Sequence, residues 1–282
     1  MTFRFANVEG RSALVDAHGG WFDASRVSGG VVSPDPMEAW LQLDDLHLTA
    51  GAIATSEADG HVRDADLRPP IPVPRSVFAV GLNYRSHAEE ADMELPQTPL
   101  IFTKFPSCLA GPNDPVILGG STDDYEAELV VVIGRGGRDI TPGQAWDHVG
   151  GLTAGQDISD RRLQFAAKPP HFDLGKSRDT YGPIGPVVVS TDSFPTPGDL
   201  LITCEVNGER RQDDRTSNLV FDIPALISYL SGILTLSPGD LIFTGTPEGV
   251  GAASLRFLVD GDVISTTVEG IGTLTNRCRN PG

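Results

Sequence analysis

Positive charge is scarce in this sequence. Its 282 residues include 38 Asp and Glu but only 21 Lys and Arg, so the formal net charge is −17. Nucleic acids and anionic membrane surfaces attract basic proteins, and this charge therefore argues against both as partners. It also means that an anionic substrate needs a local cation to overcome the repulsion of the chain.

Cysteine is equally rare, and long apolar runs are missing. Cys108, Cys204 and Cys278 are scattered without the spacing of a metal site, so we expect reduced thiols. Residues 1–10 lack the apolar core of a signal peptide, and no apolar run is long enough to span a bilayer. These features predict a soluble cytoplasmic protein whose partners are small molecules.

The signatures of a nucleotide-binding α/β fold are also absent. The chain has no Gly-x-Gly-x-x-Gly fingerprint and no regular alternation of strands and helices. Many short apolar segments and 32 glycines instead favour a mostly β body with peripheral helices, an α+β fold. Residues 67–74 are too rich in proline for a helix or a central strand, and we interpret them as a linker. They would join a small N-terminal α/β unit, residues 1–66, to a larger domain, residues 75–282.

Local patterns predict several individual elements. Residues 34–48 have the apolar spacing of an amphipathic helix, and residues 223–233 form the best predicted helix of the C-terminal half. Thr141 followed by Pro142 is typical of a helix start with a threonine cap. Residues 159–167 predict a helical turn, and Asn207-Gly208 predicts a type I′ hairpin.

The stretch from Asp124 to Gly134 carries the first candidate site. Its β-branched run predicts a buried strand. Side chains two residues apart in a strand project to the same side, about 7 Å apart, so Glu126 and Glu128 should face one way. Two carboxylates in an apolar setting cannot both stay ionised without a cation. The pair therefore lies at a solvated strand entrance or holds a metal ion, and the stretch alone leaves both open.

Asp157 adds a third carboxylate at the end of the next apolar segment. Glu126, Glu128 and Asp157 would together offer hard oxygen ligands, with no His or Cys nearby in sequence. That ligand set suits Mg²⁺ or Mn²⁺, with Ca²⁺ possible, rather than Zn²⁺. Acidic strand ends are also common on solvated faces, so the spacing does not decide alone.

His87 and Glu90 form a second candidate. Residues three apart share a helix face, so the carboxylate could orient the imidazole and raise its basicity for activating water. The alternative is a surface histidine in an acidic segment, because Glu89 and Asp92 also lie there.

Three further groups could bind an anionic substrate. Lys176 lies two residues after the apolar Leu174 and could neutralise a carboxylate or an enolate, although an ordinary exposed lysine is the alternative. Arg161 and Gln164, three residues apart just after Asp157, could bring a cation and an amide to the same place. The loop of residues 244–251 offers backbone N–H groups and the hydroxyl of Thr246.

The order of these motifs resembles the fumarylacetoacetate hydrolase family over about residues 75–274. The resemblance rests on Gly81-Leu-Asn-Tyr-Arg-Ser-His-Ala-Glu-Glu90, Asp124-Tyr-Glu-Ala-Glu-Leu129, Asp157-Ile-Ser-Asp-Arg-Arg-Leu-Gln164, Gly175-Lys-Ser177, Val206-Asn-Gly-Glu209 and Pro238-Gly-Asp-Leu-Ile-Phe-Thr-Gly-Thr-Pro247. It implies a mixed β-sandwich roll as the catalytic domain and a homodimer as the assembly. Residues 1–74 match only loosely.

The resemblance also implies a role for each candidate residue. Glu126, Glu128 and Asp157 match the ligands of a divalent metal, with Mg²⁺ or Mn²⁺ usual. His87 and Glu90 match a catalytic dyad on a lid. Lys176 matches a catalytic lysine beside the metal, and the groups matching substrate contacts are Arg161, Gln164 and Thr246.

The implied reaction is hydrolysis of a carbon–carbon bond in an acylpyruvate or related β-diketo acid, through a metal-stabilised enolate. Decarboxylation of an oxaloacetate-like acid and isomerisation or decarboxylation of a dienedioate are alternatives on the same scaffold. A metal-binding paralogue without activity is a third alternative, against which the presence of both His87 and Glu90 argues.

Overall fold

A computed structural model describes residues 2–282 of the chain, and within them strands outnumber helices. The strands are β1 Arg4–Val8, β2 Arg11–Val15, β3 Gly20–Asp23, β4 Gly60–His61, β5 Leu67–Arg68, β6 Val77–Gly81, β7 Leu100–Thr103, β8 Leu109–Ala110, β9 Val116–Ile117, β10 Asp123–Asp124, β11 Ala127–Ile133, β12 Val149–Gln156, β13 Ser159–Asp160, β14 Gly182–Val189, β15 Leu201–Val206, β16 Glu209–Arg215, β17 Leu241–Phe243, β18 Val263–Val268 and β19 Gly272–Arg279. The α-helices are α1 Ala24–Val27, α2 Pro36–Leu41, α3 Leu43–Ala52, α4 Arg85–Glu90, α5 Arg161–Gln164, α6 Phe172–Gly175, α7 Ile223–Ile233 and α8 Gly251–Ser254. Short 3₁₀ segments cover Ile53–Thr55, Asp64–Asp66, Pro106–Cys108, Pro142–His148, Thr191–Ser193 and Thr216–Asn218.

Two mixed sheets form the body. The larger has the strand order β4-β3-β2-β1-β14-β12-β11-β17-β6-β7, with β5 on β1 and β8 on β14. The smaller has the order β16-β15-β18-β19-β9, and β10 pairs with β13 separately. The mostly β architecture with peripheral helices that the sequence predicted is confirmed.

Strand β11 is buried on both of its faces, which explains its unbroken apolar run. Leu129, Val131 and Ile133 pack in the core shared with the smaller sheet. Val130 and Val132 belong to a second core, on the side of α2 and α3. Side chains alternate along a strand, so even-numbered positions share the second side.

The N-terminal strands are part of the larger sheet. In antiparallel register, Arg4 of β1 lies opposite Val189 of β14, and Leu67 of β5 pairs back onto Val8. Trp40 of α2 is fully buried and donates from its indole N–H to the carbonyl of Ile133, 2.9 Å away. The first 66 residues thus share a sheet and a core with the rest of the chain, and their separation as a domain stays a prediction.

Two of the predicted elements agree closely with the structure. Helix α7 has the predicted bounds, and the carboxylate of Asp222 caps it by accepting from the N–H of Ala225, 2.9 Å away. Asn207 and Gly208 have φ angles of +54° and +78°, the left-handed pair that a type I′ turn requires.

Three other local predictions need correction. The helix predicted over residues 34–48 is broken at Gln42, whose backbone is not helical, so α2 and α3 are separate. Residues 142–148 form a 3₁₀ helix, and the hydroxyl of Thr141 donates to Gln144 instead of capping. Within residues 159–167, β13 precedes a single turn, α5, which the carboxylate of Asp160 caps. Tertiary pairing with β10 extends residues that local propensity alone favours as helix.

The three cysteines do not form disulfide bonds. Cys108, Cys204 and Cys278 are free and buried, and burial raises the pKa of each thiol, to about 12 for Cys204 and Cys278.

Within residues 2–282, no helix has the length and apolar character needed to cross a membrane.

Replacing Trp40 by alanine tests whether the N-terminal strands fold together with the body. Loss of this fully buried ring should lower the free energy of unfolding by about 3–5 kcal/mol, and unfolding should remain a single transition because the ring packs in a core shared with β11. Thermal and urea unfolding followed by far-ultraviolet circular dichroism would measure the free energy of unfolding and the number of transitions. Leu41→Ala, at a neighbouring side chain that is 62% exposed, is the control. An early separate transition in Trp40→Ala would show that residues 1–66 unfold as an independent unit.

Candidate functional site

Neighbouring strands of the larger sheet end at one edge and bring three carboxylates together. Glu126 immediately precedes β11, Glu128 lies within it, and Asp157 follows β12. The N–H of Asp157 donates to the carbonyl of Glu126, 2.9 Å away, which sets the two residues side by side. One oxygen from each of Glu126, Glu128 and Asp157 lies within 4.8 Å of the others. We call these three residues the carboxylate triad.

Burial separates the two alternatives left open by the sequence. Glu126, Glu128 and Asp157 are only 5%, 1% and 0% exposed, so they do not form a solvated strand entrance. Buried carboxylates need positive charge nearby, because desolvation otherwise favours their neutral forms.

Lys176 and Arg161 supply two of these positive charges. The ammonium of Lys176 donates to Glu126 Oε2 (2.5 Å), Asp157 Oδ2 (2.8 Å) and the hydroxyl of Ser159 (2.8 Å). Arg161 reaches Glu126 Oε1 at 2.6 Å and Asp124 Oδ2 at 2.7 Å. Both side chains predicted to face an anion are therefore already bound to the triad or to its neighbour.

Lys104 is a third cation, which the sequence analysis did not identify. It is fully buried, and its ammonium donates to Asp157 Oδ1 (2.7 Å), to the carbonyl of Tyr181 (3.1 Å) and, in a short contact, to the carbonyl of Lys176. The sequence did offer a signal for Lys104. The chain contains only three lysines, and this one directly follows an apolar strand in a strongly acidic protein. Lys104 thus joins one triad carboxylate to the backbone that carries Lys176.

The triad carboxylates differ in their electrostatic surroundings. Burial raises the pKa of Glu128 well above its ordinary value, and the charges of Asp157 and Glu126 add to the effect. Burial also acts to raise the pKa of Glu126, but the charges of Lys176 and Arg161 outweigh it and lower the pKa to about 2. Glu128 receives a hydrogen bond from the N–H of Gly245, 2.7 Å away. It is the triad member that a further cation would stabilise most.

The residues present fit a divalent cation. Lys104, Lys176 and Arg161 contact Glu126, Asp157 and Asp124, whereas Glu128 has no cation in contact. With these four buried carboxylates all ionised, three cations leave one excess negative charge. A divalent cation would turn that excess into a single positive charge, which matches a monoanionic ligand. The oxygen-only donor set is the kind that Mg²⁺, Mn²⁺ and Ca²⁺ prefer.

A cavity of about 400 Å³ adjoins this acidic centre. Eight of the nine predicted site residues line it, and Asp157 lies beneath them. The lining residues among the predictions are His87, Glu90, Glu126, Glu128, Arg161, Gln164, Lys176 and Thr246.

The two predicted neutral substrate contacts each have a protein partner. Gln164 is buried, and its side-chain oxygen accepts from Arg161 at 3.0 Å. The hydroxyl oxygen of Thr246 accepts from the amide of Gln212 at 2.8 Å. Gln212 was not identified from the sequence, and it also donates to the carbonyl of Pro247 at 3.0 Å, which shapes the loop after β17.

His87 and Glu90 lie on one face of α4, but they are not hydrogen-bonded. Nδ1 of His87 is 3.6 Å from Glu90 Oε2, and this buried nitrogen has no hydrogen-bond partner within the described chain. Glu90 instead accepts from the N–H of Gly249, at 3.0 and 3.1 Å. The carboxylate therefore fastens α4 to the loop after β17. Catalytic hydrogen bonds are often this loose before a substrate binds.

Asn83 fixes the base of α4 and was also missed by the sequence analysis. This fully buried amide donates to the carbonyls of Thr244 (2.7 Å) and Phe221 (3.0 Å) and accepts from the N–H of Phe221 (2.8 Å). The start of α4 is thereby tied to the strand end beside Glu128.

A known protein family combines such a β-rich body with an acidic centre beneath a cavity. Residues 76–279 match the family model described as fumarylacetoacetate (FAA) hydrolase, C-terminal. The chain belongs to the fumarylacetoacetate hydrolase family, as its motifs predicted, and it is an enzyme of that family.

Both a curated relative and a solved structure resemble this chain over most of its length. Oxaloacetate tautomerase YisK of Bacillus subtilis is 43% identical over 222 residues, which cover 76% of this chain and 73% of that protein. A solved structure from Mycobacterium smegmatis has a TM-score of 0.92 and 42% identity over the whole of both chains.

Two other solved structures represent further reactions on this fold. Maleylpyruvate hydrolase from Sphingobium, in complex with manganese(II) and pyruvate, has a TM-score of 0.80 and 29% identity over 99% of this chain and 100% of that one. The 2-hydroxyhepta-2,4-diene-1,7-dioate isomerase of Mycobacterium marinum has a TM-score of 0.75 and 32% identity over 99% of this chain and 100% of that one. Hydrolases, isomerases and tautomerases thus share this fold.

Replacing Lys104 by methionine tests its role as a counter-charge. The change keeps the length of the side chain but leaves Asp157 short of a fully buried partner, so the free energy of unfolding should fall by about 3–5 kcal/mol. Mn²⁺ should then raise the melting temperature more in the variant than in the parent, because a divalent cation can supply the missing charge. Differential scanning fluorimetry with and without Mn²⁺ measures both effects.

Lys168→Met is the matched control, since Lys168 is exposed. It should change neither the stability nor the response to Mn²⁺. If Lys104→Met behaved like this control, Lys104 would not be the counter-charge of the triad.

Proposed function

We propose that this protein is a divalent-metal-dependent hydrolase that cleaves a carbon–carbon bond in an acylpyruvate or a related β-diketo acid. The observation that carries the proposal is a buried carboxylate triad with Lys176 at one end of a cavity that His87 lines from α4. The related maleylpyruvate hydrolase was solved with manganese(II) and pyruvate, which supports both the metal and the 2-oxo-acid product.

The triad is the proposed metal site. Glu126, Glu128 and Asp157 would hold Mg²⁺ or Mn²⁺, with Ca²⁺ possible in place of either. When bound, the divalent cation supplies a Lewis acid for the 2-oxo-acid end of the substrate and positive charge for an enolate.

The side chains around the triad would orient the substrate. Arg161 is partly buried and permanently charged, and Gln164 lies beside it on α5, so the two can fix the position of a carboxylate or carbonyl group. The loop of Thr246 bounds the same cavity. Lys176 places its ammonium where negative charge develops on the leaving group.

His87 is the proposed general base. Its Nδ1 faces Glu90, so the other ring nitrogen, Nε2, would accept a proton from water, and the resulting hydroxide would attack the 4-oxo carbonyl carbon. The bond between C3 and C4 then breaks, and its electron pair leaves as the enolate of pyruvate while the acyl part departs as a carboxylic acid. The proton held on His87 returns to the enolate carbon. Closure of α4 by a few tenths of an ångström would bring Glu90 within hydrogen-bonding distance of the imidazole.

Keto–enol tautomerisation of an oxaloacetate-like acid is the second candidate, because the relative YisK is an oxaloacetate tautomerase. The same groups would serve it: His87 would move a proton between C3 and the enol oxygen, without addition of water. Decarboxylation is a third outcome on the same scaffold.

A substrate panel separates these reactions. Acylpyruvates, oxaloacetate and a dienedioate are assayed with Mg²⁺ and with Mn²⁺, and products are identified by nuclear magnetic resonance. Pyruvate and acetate from acetylpyruvate would support the hydrolase. Rapid enol loss from oxaloacetate without C–C cleavage of any diketo acid would favour the tautomerase, and release of CO₂ would favour the decarboxylase.

Removal of the metal or of a triad carboxylate should abolish the reaction. Excess chelator should stop turnover, and Mg²⁺ or Mn²⁺ should restore it. Glu128→Gln should weaken Mn²⁺ binding by more than about tenfold, as measured by electron paramagnetic resonance of free Mn²⁺, because an amide carries no charge. Glu57→Gln, at an exposed position, is the control. Full turnover in excess chelator would refute the metal site.

Replacing His87 by asparagine should lower kcat by about 10²–10⁴-fold, the usual contribution of a general base, and should leave Mn²⁺ affinity unchanged. His171→Asn is a matched control: His171 also lies near a carboxylate, 3.4 Å from Asp173, but its side chain is 77% exposed. Unaltered kcat in His87→Asn would exclude His87 as the base.

A further inference from the structure

The charged groups of the cavity are gathered at one end. Two basic side chains line it, Arg161 and Lys176, and both are bound to Glu126 in the buried acidic centre. His87 and Glu90 approach from α4. Within residues 2–282, no lysine or arginine lines the remainder of this cavity.

Much of the remaining lining is apolar and aromatic. Phe102, Phe165 and Phe172 line the cavity and form what we call the aromatic wall, with ring centroids of neighbouring pairs 5.6 and 6.2 Å apart in edge-to-face geometry. Met93 and Leu100 continue this lining and are 54% and 42% exposed.

The aromatic wall runs from the acidic centre to the mouth of the cavity. At the inner end, the Phe102 ring centroid lies 5.4 Å from the ammonium of Lys176. At the outer end, Phe165 is 56% exposed. A substrate held by Lys176 would therefore lay the rest of its length along these rings.

Such a surface discriminates between substrate tails. An apolar tail gains free energy by leaving water against the rings, worth about fourfold in affinity for each buried methylene group. A second carboxylate in the same place would lose hydration without gaining a cation, and it would also meet the net negative charge of the chain.

We propose that the substrates are monoanionic: a single 2-oxo-acid head that enters the acidic centre, and an apolar alkyl or aryl tail that lies on the aromatic wall. Dicarboxylates such as oxaloacetate, maleylpyruvate or a dienedioate would then be poor substrates. This inference rests on the proposed function, because it assumes that the 2-oxo-acid end binds at the triad.

Matched pairs of substrates test the tail directly. Butanoylpyruvate and succinylpyruvate differ only in a terminal methyl group replaced by a carboxylate, and we expect kcat/KM to favour butanoylpyruvate by at least about tenfold. Across acetyl-, butanoyl- and hexanoylpyruvate, kcat/KM should rise by about fourfold for each methylene group until the wall is covered. Equal or better turnover of succinylpyruvate would overturn the inference and leave the hydrolase intact.

A cation placed on the wall should reverse the preference. In Phe165→Arg, kcat/KM for succinylpyruvate should rise relative to butanoylpyruvate by about tenfold or more. Leu174→Arg is the control, because Leu174 is 63% exposed on α6 and does not line the cavity. An identical shift in both variants would mean that overall charge, and not the wall, sets the preference, which would also overturn the inference.

Binding keeps the inference testable if no diketo acid is cleaved and the proposed function fails. 2-Oxopentanoate and 2-oxoglutarate form the same methyl-to-carboxylate pair, and isothermal titration of the Mn²⁺-loaded protein measures their affinities. Tighter binding of 2-oxopentanoate, lost in Phe165→Arg but kept in Leu174→Arg, would support the apolar tail. Tighter binding of 2-oxoglutarate to the parent protein would refute it.

Discussion

The structure depends on the contacts between three basic side chains and the buried carboxylates beneath the cavity. Lys104, Arg161 and Lys176 come from three separate segments, and each donates to a carboxylate whose charge is costly to bury alone. Such ion pairs are costly to desolvate, so their value lies less in stability than in holding charges at defined positions. With every carboxylate ionised one negative charge is in excess, and a divalent cation would compensate it.

The sheet places these charges where strands meet. The triad comes from the adjoining strands β11 and β12, while the loop after β17 brings the N–H groups of Gly245 and Gly249 to Glu128 and Glu90. Lys104 directly follows β7 at the edge of the same sheet. A shift of register by one residue in β11 would turn Glu126 and Glu128 to the opposite face. The site therefore inherits its precision from a strand that is buried on both sides.

The cavity combines two chemistries that are separated in space. Its inner end is charged, whereas its aromatic wall carries no charge. The relatives of this chain include a hydrolase, an isomerase and a tautomerase. In the function proposed for this chain, the acidic centre holds the reacting end of the substrate, and the outer lining contacts the remainder.

The sequence by itself determined the features that local pattern controls. The spacing of Glu126 and Glu128 put them on one side of a strand, α7 had its predicted bounds, and the Asn207-Gly208 turn followed from residue preference. The order of motifs was enough to assign the family, because each motif is a short contiguous segment.

Only the tertiary structure decided how those segments meet. Lys104 contacts Asp157 across 53 residues of sequence. The helix spacing predicted that Glu90 pairs with His87, but Glu90 instead binds the N–H of Gly249, which is 159 residues away in sequence. The burial of the triad also depends on how the two sheets pack together, and this burial is what excludes a solvated strand end. Local periodicity reports which way a side chain points relative to its own strand, but charge compensation depends on distances between segments that the chain order does not encode.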